Sequence, residues 1–140
     1  MDTVNLTIDG RQVTVPANAT VLEAAEQALI NIPRLCYHPD LPPVSACRLC
    51  VVEIKGDRLL RTACSWKVAE GMEVTTNSKV VRESRKIAME LLLSRHPMRC
   101  TECVRNGSCE LRAVADQLGI REISFEYRER KGDLDTSSPA

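Results

Sequence analysis

The sequence predicts an α+β fold: a mixed sheet packed on one helix, followed by a smaller helical unit. Three observations lead there. Apolar residues alternate with polar ones in two separate stretches of the first half, a capping-box signature stands between those stretches, and at Asn77-Ser78 the apolar period changes from two residues to about 3.6. The 140 residues, 44% of them hydrophobic, suffice for one core and a small appendage. With aromatics at only 3%, that core must be aliphatic.

Val4, Leu6 and Ile8 alternate with polar neighbours, Asp9-Gly10 is a type I′ turn signal, and Val13 and Val15 resume the alternation. A β-hairpin is therefore expected at the amino end, closed by Pro16. Thr20-Val21-Leu22-Glu23 reads as a capping box opening a helix to about Leu29, with Val21, Leu22, Ala25, Ala28 and Leu29 as its apolar face. Pro33 prevents further extension. Cys50 to Ile54 and Arg58 to Arg61 flank Gly56-Asp57 and predict a second hairpin, with Cys64 just beyond it. Glu70-Gly71 is a further turn, and Met72 to Thr75 make a short last strand.

In the second unit, Val80, Val81, Ile87, Ala88, Leu91 and Leu92 form one stripe of a long helix capped by Asn77 or Ser78. It should run to about Ser94 and close at His96-Pro97. Ser108 is expected to cap a short helix through Leu118, with Gly119 as its left-handed stop. Cys109 would then lie in the first turn, where the helix dipole favours an anion. Residues 1–77 are expected as one domain, 78–127 as a second, and 128–140, polar and without apolar period, as tail or linker.

Between the first helix and the second hairpin, residues 31–48 carry Pro33, Pro39, Pro42 and Pro43 and no apolar period. So long a structureless loop in a compact domain marks a functional site. Its cysteines, Cys36, Cys47 and Cys50, together with Cys64 beyond, are separated by ten, two and thirteen residues. Seven cysteines, an odd number, fit reduced thiolates better than a closed disulfide framework. Structural zinc usually draws its ligands as two close pairs, and only Cys47 and Cys50 are so paired. A plant-type [2Fe-2S] site takes most ligands from one irregular loop and the last from a distant element, which is the arrangement here. Spacing thus favours [2Fe-2S] and leaves zinc open. A Rieske centre needs histidine ligands, and Cys50 stands where the second would be, so His38 is expected at the surface.

A second set follows: His96-x3-Cys100-x2-Cys103-x5-Cys109. With four thiols assigned to the first loop, three remain, and a four-ligand site needs a donor other than cysteine. His96 is nearest. The competing reading makes His96 a helix-end residue, and a Cys3His zinc site also stays open.

Composition excludes other classes. The 19 basic and 19 acidic residues cancel without a long single-sign run, which gives no electrostatic reason to expect nucleic acid. A protein surface is the expected partner. MDTVNLTID lacks the basic and apolar regions of a signal peptide, and no window reaches the apolar length that spans a bilayer, so no direct membrane insertion and a cytoplasmic location are expected. Rossmann, P-loop and nucleophile signatures are missing, so catalysis by the chain alone is not expected. Trp66 reads as packing, Arg48 as solvated, and Arg95, Arg99, Arg105 and Arg112 as either a docking patch or a face balanced by Glu102 and Glu110.

The two ordered ligand sets resemble the amino-terminal iron–sulfur region shared by several related chains. These are the complex I large iron–sulfur subunit, [FeFe]-hydrogenases, diaphorase subunits of NAD-linked hydrogenases, and NAD-dependent formate dehydrogenases. The resemblance covers nearly the whole chain. It implies a β-grasp, ferredoxin-like [2Fe-2S] domain held by Cys36, Cys47, Cys50 and Cys64, then a small helical domain whose His96, Cys100, Cys103 and Cys109 hold a [4Fe-4S] cluster. It also implies electron relay inside an NAD(P)-linked oxidoreductase complex. The implied partners are a flavin- and NAD(P)-binding subunit, a thioredoxin-like [2Fe-2S] subunit, and a catalytic or ferredoxin-type subunit. Members commonly continue into a two-cluster ferredoxin-like module, whose C-x2-C-x2-C-x3-C-P runs this sequence does not contain.

Overall fold

The computed structural model describes residues 2–126, so the expected tail and Tyr127 lie outside the described residues. Strands β1 (Thr3–Ile8) and β2 (Arg11–Pro16) form the amino-terminal hairpin, paired from Thr3↔Pro16 to Ile8↔Arg11. Its turn is Asp9-Gly10, both at positive φ (49° and 82°), as a type I′ turn requires. Leu6, Ile8, Val13 and Val15 all point inward and are buried.

Three more strands complete one mixed sheet: β3 (Val51–Ile54), β4 (Arg61–Thr62) and β5 (Glu73–Thr75), in the order β2-β1-β5-β3-β4. β5 pairs in parallel with β1 through Thr7↔Glu73 and antiparallel with β3 through Ile54↔Val74. The expected last strand thus lies in the middle of the sheet, with Val74 buried on one face and Glu73 and Thr75 exposed on the other.

Helix α1 (Val21–Gln27) crosses one face and buries Val21, Leu22, Ala24 and Ala25. The capping box is present: Thr20 Oγ1 accepts the Glu23 N–H at 3.2 Å, and Glu23 Oε2 accepts the Thr20 N–H at 2.7 Å. The helix ends earlier than expected, and Leu29, assigned to its apolar face, is 90% exposed. The cause is a Schellman ending in which Leu29 itself takes the left-handed conformation (φ 58°). Its N–H reaches Glu26 O at 3.0 Å and the Ile30 N–H reaches Ala25 O at 2.8 Å.

The second hairpin is also shifted. β3 pairs with β4 through Val51↔Thr62 and Val52↔Arg61, one residue beyond the predicted strand. Asp57 explains the longer loop: its carboxylate accepts the Leu59 N–H at 3.0 Å and the Arg61 Nε at 2.6 Å, fixing a turn that the strand cannot enter.

Helix α2 (Lys79–Leu93) starts at Ser78, whose side chain accepts the Val81 N–H at 3.2 Å. Its buried face is Val81, Arg85, Met89, Glu90 and Leu93, whereas Val80, Ile87, Leu91 and Leu92 of the predicted stripe are exposed. Four of the six residues of that stripe thus lie on the outer side, because two apolar faces compete on this helix and Arg85 lies on the inner one. A short 3-10 turn at Cys100–Glu102 precedes helix α3 (Glu110–Gln117). Cys109, and not Ser108, is its N-cap. Gly119, at φ 70°, stops α3 as expected: its N–H reaches Asp116 O and that of Ile120 reaches Ala115 O, both at 3.0 Å. Leu49, Cys47, Met89, Leu93 and Ala115 form a second apolar cluster, which joins α2 and α3 to the cysteine loop.

Candidate metal centres

The cysteine loop leads from α1 into β3, and its Cys47 and Leu49 pack in one cluster with Met89 and Leu93 of α2. Cys47, Cys50 and Cys64 are buried and Cys36 is half-buried. Two residues of this segment, Ser45 (φ 52°) and Arg48 (φ 58°), hold left-handed backbone without being glycine, a cost that a loop bears when its amides must point inward. The amides do so. Cys47 donates its N–H to Cys36 Sγ at 3.4 Å. Burial raises the Cys47 thiol, but backbone donors from Cys36, Leu49 and Leu35 outweigh it and leave its pKa lowered.

Cys64 reaches this loop from the far side of β4. Its segment is tied to the start of α1, because Val21 and Leu22 donate to Trp66 O and Ala63 O at 2.9 and 3.0 Å. It is tied to the loop as well: Ala63 donates to Cys50 O at 2.9 Å, and Ser45 Oγ donates to Ser65 Oγ at 2.8 Å. Ser45 Oγ also lies 3.7 Å from Cys64 Sγ. Burial pushes the Cys50 thiol up to about 12, with the adjacent Cys64 adding to the rise despite one backbone donor. Trp66 stacks on the Arg61 guanidinium at 4.4 Å, which makes it a packing residue for this segment. Arg48 is exposed, and so is His38, whose Nδ1 accepts the Asp40 N–H.

Cys36 Sγ thus accepts from Cys47, and Cys50 lies close enough to both Cys64 and Cys47 for their charges to oppose its ionisation. Among the described residues no three cysteine, histidine or acidic side chains close to the separation that a single ion requires. Three thiols on one irregular loop and a fourth from the segment beside it match the ligand set of a plant-type two-iron centre.

The second set sits where α2 runs out. His96, Cys100, Cys103 and Cys109 all line one small pocket of about 40 Å³, together with Arg99, Asn106 and Arg112. Cys103 accepts the Arg105 N–H at 3.4 Å and Cys109 the Arg112 N–H at 3.5 Å. The sulfur set is thus furnished with amide donors, as an anionic cluster needs. Arg112 also donates to Asn106 Oδ1 at 2.9 Å. His96 is exposed and its N–H reaches Leu93 O at 3.0 Å, so it both ends the helix and opens on the pocket. A larger cleft of about 520 Å³ continues from this pocket along Leu93, Met98, Leu111 and Ile123.

Arg99 and Arg112, two of the four arginines offered as a docking patch or a solvated face, line the pocket, and Asn106 was not singled out in the sequence, although it stands within the Cys103–Cys109 spacing. Arg85 was missed altogether. Its only sequence signal is register, since it stands four residues from both Val81 and Met89.

Residues 1–79 match the family described as "2Fe-2S iron-sulfur cluster binding domain", and residues 85–124 match the "NADH-ubiquinone oxidoreductase-G iron-sulfur binding region". The chain is 42% identical over 135 residues to "NADP-reducing hydrogenase subunit HndD" of Solidesulfovibrio fructosivorans, covering 92% of this chain and 23% of that protein. It is 40% identical over 116 residues to "NADH-ubiquinone oxidoreductase 78 kDa subunit, mitochondrial" of Neurospora crassa, covering 83% of this chain and 16% of that one. It spans less than a quarter of either relative's length. Among solved structures, a chain of the "NAD+-reducing [NiFe]-hydrogenase in the H2-reduced state" superposes with a TM-score of 0.86 at 31% identity, over 97% of this chain and 57% of that one. Among the described residues no helix is long and apolar enough to cross a membrane. The β-grasp sheet with its thiol-bearing loop, followed by the histidine–cysteine pocket, thus agrees with the family match: this chain belongs to the 2Fe-2S iron-sulfur cluster binding domain family, and its iron–sulfur electron-transfer region takes one [2Fe-2S] and one [4Fe-4S] cluster.

Proposed function

We propose that this chain relays single electrons between a flavin- and NAD(P)-binding subunit and a downstream redox centre, inside a cytoplasmic NAD(P)-linked oxidoreductase complex. Cys36, Cys47, Cys50 and Cys64 hold the [2Fe-2S] cluster, and His96, Cys100, Cys103 and Cys109 hold the [4Fe-4S] cluster. The observation that carries the reading is the convergence of that second set on one pocket, directly after the helix packed on the first thiol loop. The clusters, when bound, supply reversible one-electron uptake, and the chain supplies thiolates, burial and amide donors. On this reading residues 1–77 and 78–127 are two domains with one cluster each, and 128–140 a tail or linker.

The proposed partners are a flavoprotein subunit, a thioredoxin-like [2Fe-2S] subunit and a catalytic or ferredoxin-type subunit. Relatives named as subunits of NADH-ubiquinone oxidoreductase and of hydrogenase support assembly of this kind. Elemental analysis tests the reading. Anaerobically purified chain should contain about six iron and about six acid-labile sulfides, two plus four. Zinc without sulfide overturns it, and robust NADH–dye reduction by the chain alone, free of flavoprotein, overturns the relay role.

A further inference from the structure

One charged side chain of α2 faces the interior next to the first centre. Arg85 is 4% exposed, held between Val81 and Met89 on the buried face. Its Nε donates to Leu49 O at 3.0 Å and its Nη2 to Val51 O at 2.9 Å. Those two carbonyls belong to the residues on either side of Cys50. Among the described residues no carboxylate lies within ion-pair distance of the guanidinium. Asp9 lines the same polar cleft but is engaged by the N–H and hydroxyl of Thr76.

Burying a cation without a matching anion is costly, and neutral carbonyls satisfy its donors without neutralising its charge. Guanidinium does not escape by losing its proton. Four thiolates gathered around iron are a net anion, and one added electron makes them more so. A fixed cation behind Cys50 favours that assembly, and favours its reduced form most.

We infer that Arg85 is a positioning residue and built-in counter-charge for the first centre: it anchors the Leu49–Val51 backbone that presents Cys50 and raises the reduction potential of the [2Fe-2S] cluster. This rests on the assignment of Cys36, Cys47, Cys50 and Cys64 to that cluster.

The test is a redox titration of the cluster-loaded chain followed by electron paramagnetic resonance, comparing wild type with Arg85→Gln and Arg85→Lys. The [4Fe-4S] signal serves as internal reference. Arg85→Gln keeps a donor and loses the charge. It should lower the reduced-to-oxidised ratio of the [2Fe-2S] cluster at least tenfold at fixed potential, a negative shift of about 59 mV for one electron. Arg85→Lys keeps the charge and should stay close to wild type, with the [4Fe-4S] potential unmoved in both variants. A wild-type potential in Arg85→Gln, or equal shifts in the two variants, overturns the counter-charge. Should Arg85→Gln fail to assemble the cluster, Arg85→Lys decides: full iron and signal support the need for charge, and loss in both overturns it. Absence of any [2Fe-2S] signal in wild type would instead sink the ligand assignment.

Discussion

The backbone N–H of Arg112 points at the sulfur of Cys109, 3.5 Å away, so a thiol lining the histidine–cysteine pocket is also the N-cap of α3. One atom serves the helix and the pocket. Cys109→Ser keeps a capping acceptor and loses the soft thiolate. The iron-free variant should unfold in urea within about 1 kcal/mol of wild type, while the loaded protein loses the [4Fe-4S] signal. Cys109→Ala should lose the signal and also destabilise the iron-free chain by about 1 kcal/mol. Full iron in either variant would remove Cys109 from the ligand set.

Cys64 is delivered by a segment hydrogen-bonded to α1, not by the loop that carries the other three thiols. Cys64→Ser should therefore abolish or strongly perturb the [2Fe-2S] paramagnetic signal and leave that of the [4Fe-4S] cluster intact. Persistence of both signals unchanged would show that the first set is misassigned.

His96 has two roles to separate, since its N–H closes the end of α2 while its ring borders the pocket of Cys100, Cys103 and Cys109. His96→Ala should yield a labile or three-iron centre. His96→Cys should keep four iron at a more negative potential, because an anionic thiolate replaces a neutral imidazole. Wild-type iron and potential in both variants would reduce His96 to a helix-end residue.

Leu29 offers a test free of metal chemistry. It is almost fully exposed and sits at φ 58°, a conformation glycine adopts without steric cost. Leu29→Gly should stabilise the chain by about 0.5–1 kcal/mol, strain relief outweighing the freedom that glycine adds to the unfolded state. Urea titration reads this directly, and a loss of stability would contradict the Schellman ending.

Features set by neighbours in sequence were the legible ones. The Asp9-Gly10 turn, the Thr20–Glu23 box and the Gly119 stop each depend on a few adjacent residues, and the cysteine spacings are covalent facts. The inner face of α2 was not legible in the same way. Val80, Ile87 and Leu91 are as apolar as Val81, Met89 and Leu93, and what selects between the two sets is Leu49 and Ala115, distant in sequence. Arg85 was hidden by its charge, which composition counts toward the surface. The start of β4 depended on an ion pair between Asp57 and Arg61 that no periodicity records. Nor could spacing show that the amide of Cys47 turns toward the sulfur of Cys36.

Helix α2 borders both candidate sites: Arg85 bonds the backbone on either side of Cys50, and His96, just past the last turn, lines the pocket of Cys100, Cys103 and Cys109. It thereby acts as a ruler. Each residue contributes about 1.5 Å of length and about 100° of rotation, so the separation of the two centres changes only in steps that also turn His96 about the helix axis. Deleting one residue between Arg85 and His96 would turn His96, and the chain that follows it, by about 100° relative to Arg85 while shortening the gap very little. Insertions that nearly restore its facing come in whole turns of three or four residues, each lengthening the path by about 5 Å. Drift in the spacing of the two candidate sites is thus opposed by helix geometry.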